Sequence, residues 1–269
     1  MGRKQSEKDK KMNRALIGYT GFVGGTLLRH APFQGLYRST NIEEIRGKSF
    51  DQVFCAGAPG VKWLANQEPE KDWAGLKRLM EALKEVHTDH FILISTVDVY
   101  RMPPAVDEQS SIDPSVLDPY GRHRFFLEEF VRSRFRSFTI VRLPGLFGPG
   151  LKKNFIFDLL HNHLPEWTHR DSVFQFYSLD HLWDDLQKIL AEGIPLINLA
   201  TPPVKAADVA RECFHLEFTN QTEKPPVFYD MRTRFAHLWG ETGDYILNRE
   251  AIFRQIREFV RSQKAGSTR

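Results

Sequence analysis

The chain has 269 residues, 41% hydrophobic and 26% charged, the balance of an ordinary soluble globular protein long enough to bury a sizeable core. No apolar run approaches the roughly 18–20 residues that a membrane span needs, and the only two cysteines, Cys55 and Cys213, exclude a disulfide framework and a thiolate metal cluster. The net charge of +3 is carried by residues 1–13, where five basic residues face two acidic ones; the remainder holds 32 of each sign, which excludes a basic field for nucleic acid.

In chain order, residues 1–13 are polar and basic, which predicts a disordered tail and shows no signal-peptide pattern. A cytoplasmic protein with a small-molecule partner, and with neither nucleic acid nor membrane, is the expectation. Ala15–Thr20 reads as a buried strand, interrupted at Gly18, Gly21 and Gly24, and an apolar helical pattern over Phe22–His30 follows at once. Glycines three apart at a strand-to-helix turn let the backbone fold tightly and bring bare N–H groups up to a pyrophosphate. Gly18, Thr20, Gly21, Phe22, Val23 and Gly24 are therefore candidate cofactor-binding residues, although a tight turn without a ligand has the same spacing. A strand at about Gly35–Arg38 is next, and another opens at Ser49 and closes on the small residues Cys55-Ala-Gly-Ala, where a cofactor can approach closely.

Glu68–Val86 carries apolar residues on one helical face, and Phe91–Ser95 is a nearly all-apolar strand. Tyr120–Phe135 reads as a helix and Phe138–Leu143 as a strand. This alternation predicts a parallel sheet with right-handed crossovers. Beyond Gly150 the pattern loosens: an amphipathic piece (Asn154–His161), a strand (Val173–Tyr177), a helix (His181–Ala191), a strand (Leu196–Ala200), a helix starting near Lys205 and a last helix, Arg249–Gln263. The predicted fold is α/β, a Rossmann-type doubly wound parallel sheet with a smaller C-terminal substrate lobe. Its expected divisions are the tail (1–13), a dinucleotide-binding region (14–150), and the remaining sheet elements with the lobe (151–269).

Two further features lie at or beyond predicted strand ends, where open α/β sheets bind ligands. One is Ser95-Thr96-Val-Asp-Val-Tyr100; the other is Pro119-Tyr120-Gly-Arg-His-Arg124, in which one helical turn puts Tyr120 and Arg124 on the same face. Arg38 stands about 20 residues after the glycine turn, where an NAD site usually has an acid. A guanidinium there suits the 2′-phosphate of NADP, which is thus favoured over NAD. His161, His163 and His169 surround Glu166 without a recognisable ligand spacing, so no metal site is expected.

These motifs together resemble the extended short-chain dehydrogenase/reductases, which include nucleotide-sugar epimerases and dehydratases. The glycine spacing, Cys55-Ala-Gly-Ala, Glu108 before Tyr120, and Arg142-Leu-Pro-Gly-Leu-Phe-Gly-Pro-Gly carry the likeness. The resemblance implies Tyr120 as catalytic acid/base, Thr96 as the hydroxyl that holds the substrate oxygen, and Arg124 where the family has its catalytic and ribose-binding lysine. It adds Ala56, Gly57 and Leu146 to the cofactor site and Asn154 to the substrate site. It also implies dimerisation through the helices Glu68–Val86 and Tyr120–Phe135. The expected function is NAD(P)-dependent oxidoreductase or epimerase/dehydratase chemistry on a hydroxyl or carbonyl of a sugar-like or small carbonyl substrate. The arginine that opens a later family phrase is missing from Phe174-Gln-Phe-Tyr-Ser-Leu-Asp180. With Arg124 in place of lysine, this leaves a cofactor-binding regulator without turnover as the alternative.

Overall fold

Buried apolar runs become the strands, and one-sided apolar patterns become the helices that cover them. The structure, a computed structural model, describes residues 12–101 and 105–266, so residues 1–11 of the expected tail lie outside it. The elements are β1 (Arg14–Ile17), α1 (Phe22–His30), β2 (Gly35–Tyr37), β3 (Ser49–Cys55), α2 (Lys62–Gln67), α3 (Pro69–Leu83), β4 (His87–Thr96), α4 (Pro119–Arg134) and β5 (Phe138–Leu143). They continue with β6 (Gly145–Phe147), α5 (Phe155–His161), β7 (Val173–Phe174), β8 (Phe176–Ser178), α6 (Leu182–Ala191), β9 (Leu196–Asn198), β10 (Val204–Lys205), α7 (Ala206–Phe214) and α8 (Arg249–Gly266). Chain packing separates two compact units. One is Met1–Arg101 with Ile112–Arg142 and Leu182–Ile197; the other is Met102–Ser111 with Leu143–His181 and Asn198–Arg269.

The first unit is built on a six-stranded sheet in the order β2-β1-β3-β4-β5-β9. Ile17 of β1 lies opposite Tyr37 on one side and Cys55 on the other, both pairings parallel. Every residue of β1 is buried, as a strand with both faces covered requires. On one face Ile17, Val53, Cys55 and Leu93 pack with Leu76, Leu79 and Leu83 of α3 and with Leu127 and Val131 of α4. Burying each such side chain contributes about 1.5–3 kcal/mol. On the other face Phe54 meets Phe33 and Trp183. The predicted parallel, doubly wound sheet is observed.

Three local departures have physical causes. The first strand stops at Ile17 rather than Thr20, because Gly18 takes φ +85° and turns the chain. The expected strand Val173–Tyr177 divides at Gln175, whose buried amide donates to the carbonyls of Thr201 and Met231 and accepts from the Met231 N–H. Its flanks therefore enter different two-stranded sheets, β10-β7 and β6-β8. The third is α2, a six-residue helix after Pro59-Gly60 that is too short to show a periodicity.

The second unit has its own core, in which Phe147, Phe155, Phe176, Val209, Ile256 and Phe259 meet. Among the described residues no helix is long and apolar enough to cross a membrane.

Candidate active site

The sheet order reverses at β1, because the chain lays β2 on one side of that strand and β3 on the other. Ligands of open α/β sheets bind at the crevice such a reversal opens. The glycine turn sits there. The Gly18 N–H donates to the Tyr37 carbonyl at 2.7 Å and the Gly21 N–H to Gly18 at 2.9 Å. A Cβ on Gly18 would strike the Ala56 carbonyl, and one on Gly24 would strike the Gly18 carbonyl. Gly57 has no room for one either, since it would meet Ile17 Cγ2 at 2.9 Å. Small residues at these positions let the strand ends close up. At the head of α1, Gly21 offers no side-chain cap and the first turn holds no acid. The first N–H groups, those of Phe22, Val23 and Gly24, have no intrahelical acceptor and mark the positive end of the helix dipole. A cradle of this kind fits a pyrophosphate, with Thr20 exposed at its lip. Arg38 follows β2 directly, exposed, with Nε donating to Thr40 Oγ1 at 2.9 Å.

Beyond β4, Thr96 caps a short turn: the Asp98 N–H donates to Thr96 Oγ1 at 3.2 Å. Helix α4 is seated on that turn. A Cβ on Gly121 would run into the Asp98 carbonyl, so the glycine next to Tyr120 is what permits the approach. The head of α4 is held by α2, whose Asn66 Oδ1 accepts the Tyr120 N–H at 2.9 Å, while Asp118 at the N-cap makes no side-chain capping bond. Tyr120 is thereby buried, with the Thr96 hydroxyl near its phenol. Burial pushes the Tyr120 phenol up from its ordinary pKa. The Arg124 cation, the Thr96 hydroxyl and the Lys62 ammonium pull it down, and the Asp98 carboxylate pushes it up. Burial dominates, so Tyr120 is a neutral phenol at neutral pH.

Arg124 lies over the Tyr120 ring, 4.0 Å from its centre. Its fork closes on Asp72 of α3, with Nη1 to Oδ2 at 2.5 Å and Nη2 to Oδ1 at 2.8 Å, and Nη2 also donates to the Pro59 carbonyl at 2.5 Å. His123 Nδ1 stands 2.8 Å from the same Asp72 carboxylate, its ring against Trp73. Arg124 is 3% exposed, and its Nε has no hydrogen-bond partner among the described residues. Asp72 thus holds the fork that a ribose diol would otherwise meet. A second carboxylate pair lies nearer Thr96: Lys62 Nζ is 2.6 Å from Asp98 Oδ1, and Thr96 Oγ1 is 3.3 Å from Asp98 Oδ2.

The arginine that opens the phrase at 142 is structural. Its Nε and Nη2 meet the two Glu128 oxygens at 3.0 and 2.6 Å, and Nη1 donates to the Tyr100 hydroxyl at 2.6 Å. Ser95 Oγ donates to the same carboxylate at 2.5 Å. This buried cluster ties α4 to β4 and β5 and so aims Tyr120. Removing one partner leaves an uncompensated buried charge. Glu128→Ala is expected to cost about 3–5 kcal/mol, read as a lowered urea midpoint, and pairing it with Arg142→Met should recover much of the loss.

In the second unit, Asn154 caps α5: its Oδ1 accepts the Phe157 N–H at 3.2 Å and its Nδ2 donates to the Leu146 carbonyl at 2.7 Å. The amide is committed to the fold at both ends. Glu108 receives the Asn198 N–H, the Thr233 hydroxyl and the Arg234 N–H, and so anchors a loop. A cleft of about 340 Å³ is lined in part by Asp107, Arg232, Arg234 and Asp244. Sequence reasoning brought out Thr96, Tyr120 and Arg124 but not Lys62, Asn66, Asp72 or Asp98. Asp98 lies within the segment that marked Thr96; the others stand in surface-like helical stretches with no local signal.

A parallel sheet that reverses its order at β1, with a glycine turn at the reversal, is the Rossmann type of α/β fold. Residues 36–170 match the NAD dependent epimerase/dehydratase family, and the chain belongs to that family. No curated protein matches it in sequence. Among solved structures it is similar to a dTDP-4-dehydrorhamnose reductase from Clostridium acetobutylicum, 18% identical with a TM-score of 0.72, over 94% of this chain and all of that one. It is similar to MoeE5 in complex with UDP-glucose and NAD, 16% identical, TM-score 0.71, covering 94% and 99% of the two chains. It is also similar to RMD from Pseudomonas aeruginosa complexed with NADPH, 17% identical, TM-score 0.70, covering 93% and 99%. These likenesses share the fold. Membership of an epimerase/dehydratase family favours the catalytic reading over a regulator without turnover.

Proposed function

We propose that this chain is a nicotinamide-dinucleotide enzyme acting at a carbinol or carbonyl carbon of a nucleotide-linked sugar, with NADP preferred. The observation that carries the reading is Tyr120 buried at the head of α4, with the Arg124 cation over its ring. When bound, the cofactor exchanges hydride with the carbon that bears the substrate oxygen. The chain supplies the rest. Gly18, Gly21, Phe22, Val23 and Gly24 hold the pyrophosphate, and Arg38 meets the 2′-phosphate. Thr96 holds the substrate oxygen by hydrogen bond. Tyr120, neutral at neutral pH, gives its proton to that oxygen, which suits reduction of a carbonyl. Arg124 acts on Tyr120 as a fixed charge. The same reading takes the protein to be cytoplasmic and dimeric, paired through α3 and α4.

The test is a titration of NADPH against NADH by intrinsic fluorescence, followed by NADPH oxidation with a set of UDP- and dTDP-linked keto-sugars. NADPH is expected to bind at least about tenfold tighter, a difference of about 1.4 kcal/mol, and Arg38→Glu to erase that preference. Equal affinities in the wild type remove the 2′-phosphate site. Absence of binding and of oxidation removes the function.

A further inference from the structure

The first acid after Arg38 in the chain is Glu43, and the fold returns it to the loop that carries Arg38. That loop starts where β2 ends beside the glycine turn, the Tyr37 carbonyl taking the Gly18 N–H. Asn41 pins it from within: Oδ1 accepts the Arg38 N–H at 2.8 Å and Nδ2 donates to the Leu36 carbonyl at 3.1 Å. Arg78 of α3 pins it from outside. Its Nη1 donates to the Ser39 carbonyl at 3.0 Å and its Nε to Glu43 Oε1 at 2.8 Å. One guanidinium therefore spans the Arg38 loop and the acid.

Both oxygens of Glu43 are engaged. Oε2 meets Arg46 Nε at 2.7 Å, and Arg46 Nη1 is shared with Glu85 at 2.7 Å. Hydrogen bonds from Arg78 and then Arg46 hold the Glu43 carboxyl below the usual carboxylate range, so it is an anion at neutral pH. Arg38 spends only Nε, on Thr40 Oγ1, and its two terminal nitrogens have no partner among the described residues. An acid following the second strand is what an NAD site uses to hold the ribose 2′-hydroxyl, and the same acid repels a 2′-phosphate. Here the acid is present but carries an arginine on each oxygen, while the cation in the loop is left open.

We propose that Arg78 and Arg46 are specificity-determining residues for the dinucleotide: by pairing with Glu43 they offset the acid beside the Arg38 loop and so admit a 2′-phosphate there. A carboxylate released from its arginines acts over a screening length of about 10 Å at 0.1 M salt. It repels the phosphate of NADPH and leaves NADH, which has an uncharged 2′-hydroxyl, almost unaffected. Removing Arg78 and removing Glu43 thus move NADPH affinity in opposite directions. The inference rests on Arg38 as the 2′-phosphate contact and is tested on binding alone.

NADPH and NADH are titrated by intrinsic fluorescence against wild type and variants whose fold is checked by circular dichroism. Glu43 and Arg78 are exposed, so their substitution leaves the core intact. At low salt Arg78→Met should weaken NADPH about threefold to fivefold, Arg46→Met should act in the same direction, and Glu43→Gln should tighten NADPH about twofold. Arg78→Lys, which keeps the charge, and the Glu43→Gln/Arg78→Met double variant should both lie within about twofold of wild type, and NADH should move less than about twofold throughout. The differences should shrink at about 0.5 M NaCl. If Arg78 only braces the loop, the double variant stays weak and salt has no effect, and that result overturns the proposal. Unchanged NADPH affinity in Arg78→Met overturns it as well. When wild type prefers NADPH and Arg38→Glu erases the preference, either result removes this inference alone; a wild type that binds both dinucleotides equally removes it together with the 2′-phosphate site.

Discussion

Tyr120→Phe is expected to abolish most turnover while leaving the protein folded and able to bind its dinucleotide. The phenylalanine keeps the ring under Arg124 and loses only the hydroxyl, the group proposed to exchange the proton. Positioned proton transfer contributes about 10²–10⁴ in rate, so kcat should fall by that factor, about 3–5 kcal/mol of barrier. Cofactor affinity should stay within about threefold, since the glycine turn is untouched. The pH profile supplies an independent sign. Burial favours the neutral phenol, so the donor form persists to higher pH than that of an exposed tyrosine, whose pKa is about 10. Carbonyl reduction should therefore run level through neutral pH and fall only above about pH 10, and this alkaline limb should disappear from the residual activity of Tyr120→Phe. A variant that turns over at the wild-type rate would remove Tyr120 from the chemistry.

The second large effect belongs to the glycine turn, where neighbouring positions should respond in opposite directions. Gly24 and Gly25 both lie inside α1, so alanine at either gains about 0.8–1.0 kcal/mol of helix propensity. At Gly24 the added Cβ meets the Gly18 carbonyl and Tyr19 Cα, backbone atoms that cannot yield separately from the turn. Overpacking of that kind costs about 1–3 kcal/mol or more and outweighs the propensity. At Gly25 the nearest atom is 3.6 Å away, an ordinary contact, and the propensity gain stands. Gly24→Ala should therefore lower Tm and weaken NADPH binding by about 100-fold or more as the pyrophosphate cradle deforms. Gly25→Ala should raise Tm slightly and leave binding near wild type. A thermal melt and one titration of each variant decide the matter; equal behaviour of the two would mean that the turn is not tight.

Much of the fold was legible because its signals are local. The helix Phe22–His30 and the strand Phe138–Leu143 have the bounds that their apolar patterns predict. The run at Phe91 extends to His87 and Thr96, since parallel pairing with β3 recruits flanking polar residues that carry no apolar signal. The strand expected over Val173–Tyr177 divides because Gln175 reaches backbone groups at Thr201 and Met231, distant in sequence. No window of residues around Gln175 contains that fact. The candidate site divides along the same line. Thr96 and Tyr120 stand out by their place after a strand and at the start of a helix, and the structure brings them together. The partners of Arg124 do not stand out at all, because an aspartate in the first turn of α3 looks like any acid favoured by a helix N-terminus.

By itself the sequence determined the alternation of strand and helix, the glycine turn after β1 and the tyrosine at the head of α4. Each of these depends on backbone freedom or apolar periodicity within a few residues. Only the tertiary structure decided the charge around that tyrosine. Asp72 meets Arg124 across 52 positions, and Lys62 meets Asp98 across 36, through the mutual seating of α2, α3 and α4. Electrostatic influence follows distance and burial rather than order along the chain. The same arginine read as a ribose contact in the sequence is therefore, in the fold, one half of a buried ion pair.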